Sequence, residues 1–282
     1  ACNRLERQER SDPYKDDCSE VLEACTTGGE PKDDVARYAD WSFRRCAAGW
    51  DGGCDAVMTL RRRKVSTTPA RAKEQGTWLE AGCLEGAAGA CGILALGKVV
   101  PLEPSEKVLQ SGCSLGVAQS CEKLAQAAEA RGDSVAQLQF LEQACPPVTS
   151  QGSESISSSA CRAAGVMYKD GVGASRDLAR AALLLQKGCV ARRYVLDGKA
   201  CEVLGTMFEG GVGVQKSLAR AVDLYAAGCA REKYESTLQS LAESKAKRFG
   251  GKDAPLSPSP PQESTACARL RQWTKPKSES GG

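Results

Sequence analysis

The sequence predicts an all-α chain, an α/α solenoid of helix hairpins stapled by disulfides. Three observations carry that prediction. Residues 161–189, CRAAGVMYKDGVGASRDLARAALLLQKGC, align without a gap on residues 201–229, CEVLGTMFEGGVGVQKSLARAVDLYAAGC, and 13 of the 29 positions are identical. Self-similarity at a fixed period is the signature of stacked repeats. Aromatic residues are only 5% of the chain, while Ala, Gly and Leu are plentiful, which suits thin helix-on-helix packing. Finally, Cys-x-x-Gly-x4-Cys is written three times, at Cys46/Gly49/Cys54, Cys83/Gly86/Cys91 and Cys113/Gly116/Cys121.

Each copy of the doubled stretch reads as helix, glycine turn, helix. A first helix starting at Cys161 or Cys201 carries Ala164, Met167 and Tyr168, matched by Leu204, Met207 and Phe208, at three- and four-residue spacing. Gly171 and Gly173 allow the chain to reverse. The second helix places Leu178, Ala181, Ala182 and Leu185 on one face, with Ala179 and Ala181 small enough to admit a neighbouring helix. One hairpin cannot bury its apolar stripe alone, but a stack of them can.

Gly165-x-Met167-Tyr168-x-x-Gly171-Val172-Gly173 and Ala179-Arg180-Ala181, with their counterparts in the second copy, resemble a Sel1-like repeat, the α/α relative of the tetratricopeptide repeat. A cysteine closing each helix pair resembles the secreted, disulfide-bonded Helicobacter cysteine-rich branch of that family. The clear resemblance covers 161–229, and a weaker cysteine-and-glycine echo reaches back to about residue 46. It implies a solenoid fold and says little about function.

In chain order, residues 1–17 are charged, nearly without apolar residues, and read as a tether. Cys18 and Cys25 follow in CSEVLEAC; on one straight helix they would stand roughly 10 Å apart, too far to bridge. Either the helix breaks there or one of them pairs elsewhere. The stretch 31–46 reads as a second helix with Val35, Tyr38, Trp41 and Phe43 near one side. CDAVMTLRRRKV is the next first helix and TPARAKEQGTWLEAGC its partner, with Pro69 in the first turn. CGILALGKVV and EPSEKVLQSGC form a short unit, and CEKLAQAAEARGD and SVAQLQFLEQAC form another, hinged at Gly132-Asp133. The solenoid is expected over 18–273, interrupted by a Ser-rich insertion at 146–159 and a charged, Pro-rich one at 230–266, with a disordered tail at 274–282.

A glycine three places after a helix's last cysteine suits a left-handed helix stop, and the second cysteine then opens the next helix across a tight turn. The expected bridges are Cys46–Cys54, Cys83–Cys91, Cys113–Cys121, Cys145–Cys161, Cys189–Cys201 and, across the second insertion, Cys229–Cys267. Closing a nine-residue loop contributes about 2.5 kcal/mol in the chain-entropy model, so such bridges together rival the stability of an ordinary domain. The compartment is expected to be oxidising: periplasm, outer membrane or cell surface.

Of the 15 cysteines, Cys2 is left over once the others are matched. The run Ala1-Cys2-Asn3 resembles the cleavage end of a bacterial lipoprotein signal, which implies lipid attachment, and so membrane attachment, at Cys2. Pairing of Cys2 with Cys18 or Cys25 is the competing reading, and both stay open. Zinc is disfavoured because the chain has no Cys-x-x-Cys and no histidine. No other metal and no cofactor is expected, and a net charge of +3 gives no ground for nucleic-acid binding.

Without histidine, a Ser-His-Asp or Cys-His centre cannot be built. The cysteine-rich branch of the resembled family is linked to β-lactam binding and hydrolysis, so S-x-x-K matters. It occurs at Ser120–Lys123 and Ser244–Lys247, without the accompanying K-T-G or S-D-N. No catalytic residue is expected. Arg61-Arg62-Arg63-Lys64 reads as a solvated helix end, with contact to anionic lipid or a polyanionic saccharide as the competing reading. Trp41, Trp50, Trp78 and Trp273 read as packing residues, with Trp50 exposed in its turn. The expectation is a non-enzymatic scaffold of the cell envelope that binds a peptide or protein along its first helices. A cell-wall enzyme acting on β-lactam or peptidoglycan is the alternative. Specific binding is expected where the copies differ, as at Lys169-Asp170 against Glu209-Gly210, or in the insertions.

Overall fold

The computed structural model describes residues 32–63, 65, 68–97, 100, 102–145, 157–191, 194–195, 197–231 and 265–274. Cys2, Cys18 and Cys25, the bulk of both insertions, Ser244–Lys247 and residues 275–282 lie outside the described residues. The chain divides into two compact units, Ala1–Leu124 and Ala125–Gly282.

The first unit holds α1 (Lys32–Ala47), α2 (Asp51–Arg62), α3 (Pro69–Leu84), α4 (Ala88–Leu96), α5 (Glu106–Ser114) and the start of α6 (Ala118–Ala130). The starts of α3 and α5 are capped by side chains, whereas those of α2 and α4 are not. Thr68 accepts from the Arg71 N–H with Pro69 at the first helical position, and Ser105 accepts from the Val108 N–H. Stops are written by glycine: Gly49, Gly86 and Gly116 have φ of 84°, 104° and 80°. After each, the next N–H reaches back five residues, from Trp50 to Arg45 O, Ala87 to Gly82 O and Val117 to Gly112 O. The same turn is thus made three times.

The core of this unit joins Val57, Leu79, Leu94 and Val108 to the half-cystines Cys46, Cys83 and Cys91, each 5% exposed or less. Tyr38 lies in a separate small cluster with Ala56 and Leu60, whereas Phe43 belongs to the main core. The expected common stripe on α1 is therefore corrected. Residues five apart on a helix are about 140° apart in azimuth, so Tyr38 and Phe43 serve different neighbours.

The second unit holds the end of α6, α7 (Ser134–Gln143), α8 (Ser158–Asp170), α9 (Leu178–Cys189), α10 (Gly198–Gly210), helical residues 218–231 (α11) and α12 (Thr265–Thr274). Asp133, Ser157 and Asp197 cap α7, α8 and α10 by accepting from the N–H three residues on. These caps place the helix start three residues before the opening cysteine, not at it as expected of Cys161 and Cys201. Ser158 and Ser159 accordingly belong to α8, and Thr274 to α12. Between Cys189 and α10 the chain adds one short antiparallel ladder, β1 (Val190–Ala191) with β2 (Tyr194–Val195).

Gly171 and Gly211 end α8 and α10 in the left-handed conformation. The second glycine of each Gly-Val-Gly has a different duty. A Cβ on Gly173 would lie 2.2 Å from Ser134 O, and one on Gly213 would lie 2.4 Å from Leu178 Cβ. Each turn thus rests on the first residue of the preceding second helix, an approach that only glycine permits. Within a hairpin the close contact is made by Gly165, whose Cβ would meet Leu185 Cγ at 2.8 Å, and by Ala181, which is fully buried. Ala179 is exposed, so the packing role expected of it falls to Gly165. No helix among the described residues is long and apolar enough to cross a membrane.

Candidate binding groove

Among the described residues six disulfides join the end of one hairpin to the start of the next: Cys46–Cys54, Cys83–Cys91, Cys113–Cys121, Cys145–Cys161, Cys189–Cys201 and Cys229–Cys267. Their Cα atoms are 4.5–5.0 Å apart. Small neighbours make this approach possible. A Cβ on Gly188 would lie 3.3 Å from Ala200 Cβ, and one on Gly228 would lie 3.2 Å from Ala266 Cβ. At Gly112 the facing residue is Ser120, whose Oγ would be 2.4 Å away. Glycine precedes the closing cysteine at Cys83, Cys113, Cys189 and Cys229, and a small residue precedes the opening cysteine of all six bridges.

The contact with Gly112 decides the S-x-x-K at Ser120–Lys123. Ser120 is 1% exposed, its Oγ has no hydrogen-bond partner among the described residues, and Cys121 is bonded to Cys113. Lys123 faces Glu103 at 3.7 Å. This serine occupies a packing position, out of reach of a substrate. Among the described residues, no group of three or more Cys, Asp or Glu is placed to hold a metal ion.

The indentation of the first unit lies on α2, α4 and α6, all first helices. Helix α4, AGACGILAL, has no charged side chain and forms the floor. A Cβ on Gly89 would strike Cys54 Sγ at 2.6 Å, whereas one on Gly92 would meet only Val117 Cγ1 at 3.9 Å. Met58 of α2, Ile93 and Leu96 of α4 and Gln119 of α6 complete a cavity of about 200 Å³. Leu96 is 38% exposed at its edge. Asp55 lines the α2 wall, and Asp51 Oδ1 lies 3.9 Å from where a Gly89 Cβ would be. At the opposite end Lys123 Nζ lies 3.3 Å from where a Gly97 Cβ would be.

The charge cluster ends α2: Arg61 and Arg62 stand in its last turn, Arg63 is its C-cap, and Lys64 lies outside the described residues. Cations there complement the helix dipole. Trp41 stacks on Tyr38 at 5.7 Å and meets Trp50 edge-on at 5.5 Å, while Arg44 lies 4.5 Å over Trp78. Trp50 is half-buried rather than exposed, because Gly52 lets the ring lie on its backbone, 2.8 Å from where a Cβ would stand. Trp273 is 40% exposed. Asp40 receives Arg71 and Gln75. Burial pushes its carboxyl up, but those hydrogen bonds and the Arg71 and Arg44 charges outweigh burial and hold it below the ordinary carboxylate range.

In the second unit, positions where the copies differ are engaged in packing. Tyr168 donates to Glu142 at 3.0 Å, and Arg180 reaches the same carboxylate from 4.7 Å above the Tyr168 ring. Tyr225 donates to Glu209, which Arg269 also grips at 2.8 Å. Lys169 pairs with Asp170. The binding role expected of Glu209 is therefore corrected: its charge is committed to Tyr225 and Arg269. A broad, open hollow of about 620 Å³ lies over Tyr168, Arg176 and Arg180. Sequence reasoning did not single out the α4 groove, whose only signal is two glycines in an uncharged helix.

No family model matches the sequence, and no curated protein matches it. Among solved structures, the chain is similar to a Sel1 repeat protein from Oxalobacter formigenes, with a TM-score of 0.50 and 20% identity over 96% of each chain. The chain has the Sel1-repeat fold. The repeat wording at 161–229 and the helix hairpins of both units are thus the same architecture seen twice. A protective antigen present in uropathogenic Escherichia coli strains, described as displaying an SLR fold, is also similar, with a TM-score of 0.42 and 18% identity. That match covers 62% of this chain and 41% of the antigen, so this chain spans less than half of it. The six disulfides among the described residues suit an oxidising, exported environment.

Proposed function

We propose that this protein is a non-enzymatic interaction scaffold of the bacterial cell envelope, at the outer membrane, periplasm or cell surface, that binds a peptide or protein segment. The observation that supports it is the groove on α2, α4 and α6: an uncharged floor with open space at Gly92 and an apolar edge at Leu96. Disulfides Cys46–Cys54, Cys83–Cys91 and Cys113–Cys121 hold helices of this unit, so little conformational entropy is lost on binding. Lipid attachment at Cys2 would tether the scaffold to a membrane. The β-lactam or peptidoglycan alternative loses its Ser120 candidate, which is buried, while Ser244–Lys247 lies outside the described residues.

Selection of a random dodecapeptide library on the full, oxidised chain tests the proposal. Convergence on a short motif, competed by the free peptide, is the expected result. A library that never converges counts against the scaffold reading. Radiolabelled palmitate incorporated by the full chain and lost in Cys2→Ser tests the tether.

A further inference from the structure

The groove's chemistry narrows what it takes. We infer that the groove on α2, α4 and α6 binds a peptide presenting one aliphatic side chain next to a Lys or Arg; this rests on the scaffold reading above. A cavity of about 200 Å³ is smaller than the usual small-molecule site and suits a single side chain. Its wall is apolar where that side chain would sit, at Met58, Ile93 and Leu96, and Gly92 leaves the floor open.

Charge selects what flanks the anchor. Asp51 and Asp55 stand one helical turn apart on α2 and so share a face. Both are exposed, and neither has an ion-pair partner among the described residues. At the far end, Lys123 is faced by Glu103, and α4 contributes no charge at all. Arg62 stands two turns beyond Asp55 on the same face of α2, away from the Gly89 end. The lining itself carries one charged side chain, Asp55, so negative charge borders the slot at its Asp51–Asp55 end. A cation on the ligand complements it and an anion is repelled.

The test uses the full, oxidised chain and three fluorescein-labelled pentapeptides, followed by anisotropy: Ser-Lys-Leu-Lys-Ser, Ser-Glu-Leu-Glu-Ser and Ser-Lys-Ser-Lys-Ser. The first is expected to bind at least about tenfold more tightly than the other two, and to weaken as salt is raised. Gly92→Leu fills the slot, favours helix, and is expected to weaken binding about tenfold with the circular dichroism and melting temperature retained. Asp51→Asn with Asp55→Asn is expected to erase the preference for the Lys peptide over its Glu counterpart.

Equal or tighter binding of the Glu peptide, no binding by any of the three, or binding that Gly92→Leu leaves unchanged would each overturn the inference. Concentration-dependent dimerisation abolished by Gly92→Leu would assign the groove to a second copy of the chain and overturn it as well. A library motif of different chemistry leaves the scaffold reading standing while rejecting this one, so the two failures are distinguishable.

Discussion

Tyr225 donates its hydroxyl to the Glu209 carboxylate at 2.5 Å, tying α11 to the end of α10. Burial, and then the hydrogen bond to Glu209, push the Tyr225 hydroxyl well above its ordinary value. A raised folded value means this contribution is complete below the unfolded value of about 10 and is lost as pH rises through the folded one. In an absorbance titration of the phenolates, Tyr225→Phe should remove a component that ionises above the ordinary tyrosine range. The same variant should lose about 1 kcal/mol of stability in urea at neutral pH. Loss of a component titrating near 10 would contradict the assignment.

Glycines of two kinds should respond differently to alanine. Gly82 lies inside α3, and a Cβ there would stand 2.1 Å from Ala47 O, a backbone atom that cannot step aside. Gly116 has φ of 80° but nothing within 4 Å of its Cβ position. Gly116→Ala should cost about 1 kcal/mol of conformational strain. Gly82→Ala should cost about 2–3 kcal/mol despite alanine's better helix propensity. Urea midpoints at equal slope measure both, and the reverse order would show that the closeness at Gly82 is not what holds α3 to α1.

Ser120 stands where Gly53, Ala90, Ala160, Ala200 and Ala266 precede the other opening cysteines. Its buried hydroxyl lacks a partner among the described residues. Ser120→Ala should therefore be neutral or stabilise the protein by up to about 1 kcal/mol, read as a rise in melting temperature. A marked loss of stability would mean that the hydroxyl is bonded.

Asp40 gives the fold an acid-sensitive contact. Its folded value is lowered, so its contribution is present above the unfolded value of about 4 and is lost as pH falls through the folded one. The Arg71 side chain is 39% exposed, which limits the contribution to less than about 1 kcal/mol. Urea midpoints of the parent chain and Asp40→Asn should differ near pH 7 and converge near pH 2. A gap that persists in acid would place the effect in packing.

Much of the fold was legible because repeats write the same physics several times. The Cys-x-x-Gly turn and the Gly-Val-Gly turn are local, so short strings of sequence carry them. The caps at Ser157 and Asp197, by contrast, went unread and moved both helix starts three residues ahead of Cys161 and Cys201. The groove was not legible. Gly92 and Gly165 look alike in sequence, and only tertiary neighbours show that Gly165 is filled by Leu185 while the floor at Gly92 stays open. The same holds for Glu209. Its difference from Lys169 suggested a recognition surface, whereas Tyr225 and Arg269, distant in sequence, claim it for packing.

The central claim is that each bridge joins the closing cysteine of one hairpin to the opening cysteine of the next. Proteolysis of the unreduced chain at low pH, with mass spectrometry of the linked peptides, tests it directly. The account predicts Cys46–Cys54, Cys83–Cys91, Cys113–Cys121, Cys145–Cys161, Cys189–Cys201 and Cys229–Cys267, with none of these twelve cysteines alkylated before reduction. A free thiol among the twelve, or a link that skips a hairpin, would contradict it.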